Sequence, residues 1–359
     1  METILKKITN DKEENDKIYE MAGQILKKGG LVAFPTETVY GLGGDALDSS
    51  ASGKIYSAKG RPSDNPLIVH IADVNDLYKL SCDVNESALK LAKTFWPGPL
   101  TMILKKSEIV PYSITGGLET VAIRMPSHPV ASELIRRSGL FIAAPSANTS
   151  GKPSPTKAEH VINDLSGKID MIIEDDTVDI GVESTIIDLS EDVPSILRPG
   201  YITQKMLESA LGVEVTIDPA IEGTIQKDVV PKAPGMKYKH YSPDANVVIV
   251  TGSTQAVINK INELAQEKLG KGERVGIMAT QENSTKYSCG IIKVMGSSDD
   301  EASIARNLFA ALRDFDKIGV KYVYSESFPT NNVGKAVMNR LVKAAGHTII
   351  NADEINVLQ

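Results

Sequence analysis

The chain has 359 residues, 42% hydrophobic and 24% charged, with 28 Gly and 18 Pro; at about 150 residues per domain this implies two unequal domains and excludes disorder, collagen and coiled coil. The formal charge of −7 lies wholly in residues 1–211, which hold 22 Lys and Arg against 29 Asp and Glu, while residues 212–359 hold 17 of each. A protein that works through nonspecific phosphate contacts is basic overall, so RNA contact here would need a local patch.

In chain order, a helix is predicted over about 14–28 and an apolar strand over 31–34. Further strands fall at 66–71, 100–106, 120–125, 140–144, 168–174 and 184–189, with helices near 50–58, 86–95, 128–138 and 156–164. The alternation predicts an α/β sheet whose loops are rich in Pro, Gly, Ser and Thr, and loops on a rigid sheet are where sites are built. Residues 212–245 contain four prolines and no helical period, which predicts a linker. A second unit follows over 246–359. Strands at 246–250, 274–279, 290–295, 320–326 and 347–350, with helices at 254–269, 301–317 and 334–345, predict a smaller Rossmann-like α/β domain.

Cys82 and Cys289 form no CxxC pair, so neither a disulfide framework nor a thiolate zinc site can be built. The first residues lack an apolar h-region and no window nears the roughly 18 apolar residues of a membrane span, so a cytoplasmic protein without membrane contact is expected. Gly41, Gly43 and Ala46 mimic a dinucleotide fingerprint with Asp64 as the ribose carboxylate, but PTETVY separates the strand from the first glycine and the next helix starts only near Ser50. Gly151-Lys152 is not a phosphate loop, because Ser146 stands where a glycine is needed and Pro153 where a hydroxyl should bind magnesium.

What remains is a set of cations, hydroxyls and amides. Lys59 and Arg61, expected in a loop after a helix, offer an ammonium and a bidentate fork for phosphate or carboxylate, or else offset the helix dipole. Ser146, Asn148, Thr149, Ser150 and Ser154 crowd a loop at a strand end, suited to phosphate or ribose or to turn chemistry. Arg124 lies in an apolar strand and demands a carboxylate, from the protein or from a ligand. His70, Ser184 and Arg198 also stand at strand ends. Such a set suits phosphoryl or nucleotidyl transfer, in which positioning and charge neutralisation carry catalysis.

Taken together, PTETVYGLGG, AKGRPSDNPLIVHI, TFWPGPLTMILKK, TVAIRMPSHP, IAAPSANTSGKPSPT, GVESTIIDL and ILRPG closely resemble the YrdC-like family of threonylcarbamoyl-AMP synthases over about residues 14–211. The linker and second domain resemble the long, two-domain form. The resemblance implies a twisted open mixed α/β sheet as a catalytic domain over 1–211, a linker or lid over 212–245 and the small α/β domain over 246–359. It implies condensation of L-threonine, bicarbonate and ATP, with magnesium on the triphosphate, to threonylcarbamoyl-AMP and pyrophosphate. A downstream transferase would carry the product to position 37 of tRNA; the alternative is an RNA-binding module of the same fold without catalysis.

The resemblance places Lys59, Arg61, Ser146 and Asn148 on the nucleotide and Thr36, His70, Arg124 and Ser184 around threonine. Ser63, Thr115, Ser154 and Arg198 are expected near ATP, as are Tyr238 and His240 of the linker. The linker cations Lys232, Lys237 and Lys239 are expected to approach the triphosphate as part of a lid. Because Lys59 and Arg61 are read as loop residues, alanine at either is expected to lower activity with little loss of stability.

Overall fold

The computed structural model describes residues 2–63, 65–175, 178–221, 231–233 and 241–354. Its backbone divides into two compact units, one of residues 1–150 and 154–238 and one of residues 151–153 and 239–359.

The first unit is built on strands β1 (Ile4–Lys7), β2 (Val32–Phe34), β3 (Gly41–Asp45), β4 (Ile68–His70), β5 (Leu100–Lys105), β6 (Thr120–Arg124), β7 (Ile142–Ala143), β8 (Met171–Glu174), β9 (Thr185–Asp188), β10 (Ser195–Arg198) and β11 (Thr216–Ile217). They form one mixed sheet in the order β1-β8-β2-β3-β7-β4-β6-β5-β9-β10-β11. Helices α1 (Lys12–Lys27), α2 (Ser49–Lys59), α3 (Leu77–Leu80), α4 (Glu86–Phe95), α5 (Tyr112–Thr115), α6 (Pro129–Ser138), α7 (Ala158–Leu165) and α8 (Gln204–Leu211) connect them. Their starts follow ordinary capping chemistry: Asp11, Asp48, Asn85 and Thr203 each accept a backbone N–H from the first turn. The expected strands and helices of residues 1–211 are present, some of them shorter.

Four strands arise where none was expected: β1 near the start, β11 within the segment read as a linker, and two in stretches read as loops. GLGG forms β3, between β2 and β7, because a side chain there could not fit: a Cβ on Gly43 would lie 2.8 Å from both Phe34 and Ile142. SILR forms β10, which pairs antiparallel with β9 and carries Arg198 at its end. The core alternates across the sheet. Val32 and Phe34 pack with Leu26 and Leu134 in one cluster, while Ala33 joins Leu42, Val69, Met102 and Ile123 in another.

The second unit is a five-stranded parallel sheet in the order β14-β13-β15-β12-β16. Its strands are β12 (Asn246–Thr251), β13 (Val275–Ala279), β14 (Ile291–Val294), β15 (Tyr322–Glu326) and β16 (Ile349–Asn351), with helices α9 (Thr254–Gly270), α10 (Glu301–Lys317) and α11 (Gly334–Ala344). Val275, Ile277 and Ala279 pack against α9, whereas a Cβ on Gly276 would meet Phe315 of α10 at 2.5 Å, so helices cover both faces. This is the Rossmann-like arrangement read from the sequence.

Candidate active site

The site begins with register. His70 on β4 lies directly beside Arg124 on β6, which lies beside Thr101 on β5. Directly opposed residues share a face of the sheet, so the three side chains stand in a row, and all three are buried. The row continues by hydrogen bonds: the Thr101 and Ser184 hydroxyl oxygens are 2.8 Å apart, and Arg198 donates from Nη2 to Ser184 Oγ at 3.1 Å and from Nε to the Ser184 carbonyl at 3.0 Å.

Arg124 finds its carboxylate within the protein. Its Nη2 donates to Oε1 of Glu37 at 2.7 Å, both side chains being 5% exposed. Burial pushes the Glu37 carboxyl up, and the Arg124 guanidinium together with the backbone N–H groups of Glu37 and Ser127 more than reverses this, leaving it below its usual range. Burial, with Arg124 close by, pushes the His70 imidazole down to about 3, so it sits in the row as a neutral polar group. Thr36 is buried next to Glu37; its hydroxyl donates to the Val39 carbonyl at 2.6 Å and contacts the Thr38 hydroxyl at 2.9 Å.

A second group gathers at the end of α2. Lys59 donates from Nζ to the carbonyl oxygens of Ser146 and of Asn148, the latter at 2.6 Å, and Ser146 Oγ donates to Asn148 Oδ1 at 2.6 Å. The expectation for Lys59 is corrected here. It is the last residue of the helix, 2% exposed, and left-handed Gly60 follows as the cap. A buried ammonium clamping two carbonyls supports the loop it touches, so removing it must affect folding as well. Arg61 is half-buried beyond the cap, with Nη2 3.5 Å from the Pro66 carbonyl. The two groups share the segment from Thr36 to Gly41, since Glu37 holds Arg124 while Gly41 bridges Ser146 and the Tyr40 carbonyl accepts from the Ala147 N–H.

The other expected residues are more scattered. Ser63 is exposed in a turn. Thr115 is buried at the end of α5 with its hydroxyl on the Leu118 carbonyl at 2.8 Å. Ser154 donates to Glu183 Oε1 at 2.5 Å. Tyr238 and His240, with Lys237 and Lys239, lie outside the described residues. Lys232 is described, and it pairs with Asp188 at 3.3 Å and Glu191 at 3.4 Å. Beside it, Ala233 is fully buried against Ile68, Ile103 and Leu197.

The structure adds residues that sequence reasoning did not single out. Glu37 was signalled by the need of Arg124 for a counter-ion, but nothing in the spacing says which of many acids would supply it. Thr101 looks like an ordinary strand residue until register sets it beside Arg124. Asn65 is fully buried, and neither polar atom of its amide makes a hydrogen bond within the described residues. A buried polar group left open is rare and points to a missing partner. Among the described residues no group of three or more His, Cys, Asp or Glu could hold a metal ion, and no helix is long and apolar enough to cross a membrane.

Comparison with known proteins places this geometry. A family model described as telomere recombination, covering the Sua5, YciO and YrdC proteins, matches residues 24–200, and one described as threonylcarbamoyl-AMP synthase, C-terminal domain, matches residues 202–346. The threonylcarbamoyl-AMP synthase of Bacillus subtilis is 48% identical over 96% of this chain and 97% of its own length. The chain belongs to the threonylcarbamoyl-AMP synthase family. The synthase of Pyrococcus abyssi is 50% identical over 92% of the chain and 94% of its own length. The crystal structure of P. abyssi Sua5 complexed with L-threonine superimposes with a TM-score of 0.89 at 47% identity, covering 98% of this chain and 99% of that one. The chain is therefore a member of the long, two-domain form of the family.

Proposed function

We propose that the chain condenses L-threonine, bicarbonate and ATP into threonylcarbamoyl-AMP and pyrophosphate, and that a downstream transferase passes the threonylcarbamoyl group to adenosine 37 of tRNA in the cytoplasm. The observation that carries this reading is the buried row of His70, Arg124, Thr101, Ser184 and Arg198 in a chain of this family. It offers cations and hydroxyls at a strand end, with a neutral imidazole among them.

In this reading Thr36, His70, Arg124 and Ser184 hold L-threonine, while Lys59, Arg61, Ser146 and Asn148 hold the nucleotide with Asn65, Ser154 and Arg198. Ser63, Thr115, Tyr238 and His240 border the nucleotide. The amine of threonine adds to bicarbonate with loss of water, giving a carbamate. That anion then attacks the α-phosphorus of ATP and pyrophosphate leaves. No strong base is required for the second step, because the carbamate oxygen is already charged. The protein must instead hold two anions together, which Lys59, Arg61, Arg124 and Arg198 do by placing fixed positive charge in a dry site. Magnesium would enter with ATP as part of the substrate and would neutralise charge on the triphosphate.

The test is pyrophosphate release with each substrate omitted in turn. Release should require both L-threonine and bicarbonate, and L-serine should be poorer by about 1–3 kcal/mol, the contribution of one methyl group in a fitted pocket. Equal turnover with serine, or turnover without bicarbonate, would remove the assignment.

A further inference from the structure

Between β7 and α7 the chain runs from Ser146 and Asn148 on to Gly151–Pro153, and those three residues belong to the second compact unit. Within that unit their backbone is held at both ends. The Ser242 N–H donates to the Gly151 carbonyl at 2.9 Å, and Arg313 of α10 donates to the Pro153 carbonyl from Nε at 3.0 Å and from Nη2 at 2.6 Å. A carbonyl oxygen has two lone pairs, and two N–H groups of one planar guanidinium fix the direction of the carbonyl as well as its distance. Pro153 is buried and its ring sets its own φ, which leaves the chain little freedom at this point. The clamp itself stands on a rigid element, since Leu312 and Phe315 of α10 are fully buried.

We propose that Arg313 is a positioning residue for nucleotide binding: by clamping Pro153 it fixes the far end of the loop that presents Ser146 and Asn148. The proposal rests on the reading of this loop as part of the nucleotide site. Arg313 acts through the backbone and not by touching ATP, and it gives the second unit a part in the reaction. The rest of the loop is tied in the same manner. The Thr149 N–H donates to Asp164 Oδ2 at 2.9 Å, and the Ser150 N–H donates to the Lys59 carbonyl at 2.8 Å. A connecting loop is mobile by default, and binding groups carried on one must be held to about 0.5 Å by supporting contacts if they are to meet a ligand. Arg313 supplies that support five residues beyond Asn148, where the chain turns back toward α7.

Steady-state pyrophosphate release by the full chain, with KM measured for ATP and for L-threonine, tests the proposal. Arg313→Ala should raise the KM for ATP about 10-fold, within the range for a residue that acts on a site through its neighbours, and leave the KM for L-threonine within about twofold. Arg313→Lys keeps one charged donor and should raise the KM for ATP only about threefold. KM does not depend on how much of the protein is folded, so a destabilised variant still reports. Should alanine prevent folding, Arg313→Gln takes its place in the same comparison. Amide hydrogen exchange over residues 146–153 should also be faster in the variant. An unchanged KM for ATP, an equal rise for both substrates, or unchanged exchange over 146–153 would each overturn the proposal. Asn148→Ala separates it from the reading on which it rests: if that variant binds ATP as the wild type does, the loop is not part of the nucleotide site, and the assignment of Ser146 and Asn148 falls before that of Arg313.

Discussion

Glu37 in the first unit, just after β2, and Glu326 in the second, the last residue of β15, are each 4% exposed. Their surroundings differ. Glu37 touches a cation with one oxygen and leaves the other open. Glu326 has both oxygens occupied by neutral donors: Tyr287 donates to Oε1 at 2.6 Å, and Thr280 and Asn283 donate to Oε2 at 2.9 and 3.1 Å. Burial, with the hydrogen bond to Glu326 and its charge, pushes the Tyr287 hydroxyl well up, which keeps it a donor. Glu301 repeats the second pattern, accepting the N–H groups of Asn331, Asn332 and Gly334. A buried carboxylate completed from within fixes a fold, and one with an open valence beside a cation is arranged for something that is not yet there.

The largest expected effect comes from Lys59, whose group has features of both kinds. Lys59→Ala should lower turnover by about 10²–10³-fold, as expected for loss of one fixed donor at a developing charge. It should also lower stability by about 1–3 kcal/mol, because the Ser146 and Asn148 carbonyls lose a buried donor. Arg61→Ala, at a less buried position, should lower turnover while leaving the melting temperature near wild type. Pyrophosphate release per folded molecule, measured beside thermal melts, separates the two. Full turnover of Lys59→Ala at reduced stability would move Lys59 into the purely structural class with Glu326.

Glu326→Ala provides the opposite test. Three donors, two of them buried, lose their acceptor, so stability should fall by about 2–4 kcal/mol. Turnover per folded molecule should stay within about twofold of wild type, since nothing in this cluster is open to a substrate. Chemical denaturation combined with steady-state kinetics decides the matter. A variant that stays folded but turns over poorly would mean that the second unit also carries a site.

These contrasts explain which parts were readable from sequence alone. The α/β alternation of both units was legible because it is written in local apolar periodicity, and the site loops because Pro, Gly, Ser and Thr cluster in them. The strand made by GLGG was not, since its glycines are demanded by Phe34 and Ile142, which pack from elsewhere in the chain. Lys59 was misplaced for a related reason: a lysine at a helix end is ordinarily solvated, and only the two carbonyls from the distant loop explain its burial. Arg124 announced itself as a cation in an apolar strand. Its partner could be identified only once folding had brought Glu37 to it, because a side-chain pair separated by 87 residues leaves no spacing to read.

The pH dependence of stability gives a third effect. His70 titrates near 3 in the folded protein, against an ordinary value near 6.5, because it is buried beside Arg124. The unfolded chain therefore binds the proton more readily. Stability from this group is fully present above about pH 6.5 and falls by up to about 1.4 kcal/mol per pH unit as the pH drops toward 3. His128 is shifted in the same direction by burial and adds to the slope. Urea midpoints between pH 7 and 4 should fall less steeply for His70→Gln than for wild type, by about one proton's worth. Equal slopes would mean that His70 is not held neutral in the row.

Glu301 offers the finest discrimination. It occupies the first turn of α10, yet its carboxylate is directed at the start of α11, where it accepts from Asn331 and Asn332 at 2.9 Å and from Gly334 at 2.8 Å. The first N–H groups of a helix have no partner within it and carry the positive end of its dipole, so a carboxylate there acts through both hydrogen bonding and charge. The backbone is tight at this point: a Cβ on Gly334 would lie 1.9 Å from the Pro329 carbonyl oxygen, so the loop cannot relax freely around a missing cap. Glu301→Gln retains an acceptor oxygen and should cost about 0.5–1 kcal/mol, whereas Glu301→Ala removes both and should cost about 1–2 kcal/mol. Denaturant titration should show the two variants in that order with unchanged m-values, and both should keep wild-type turnover. The reverse order, or a loss of turnover in Glu301→Gln at unchanged stability, would show that charge at this helix start serves a ligand, and that completed carboxylates in the second unit are no guide to structural purpose.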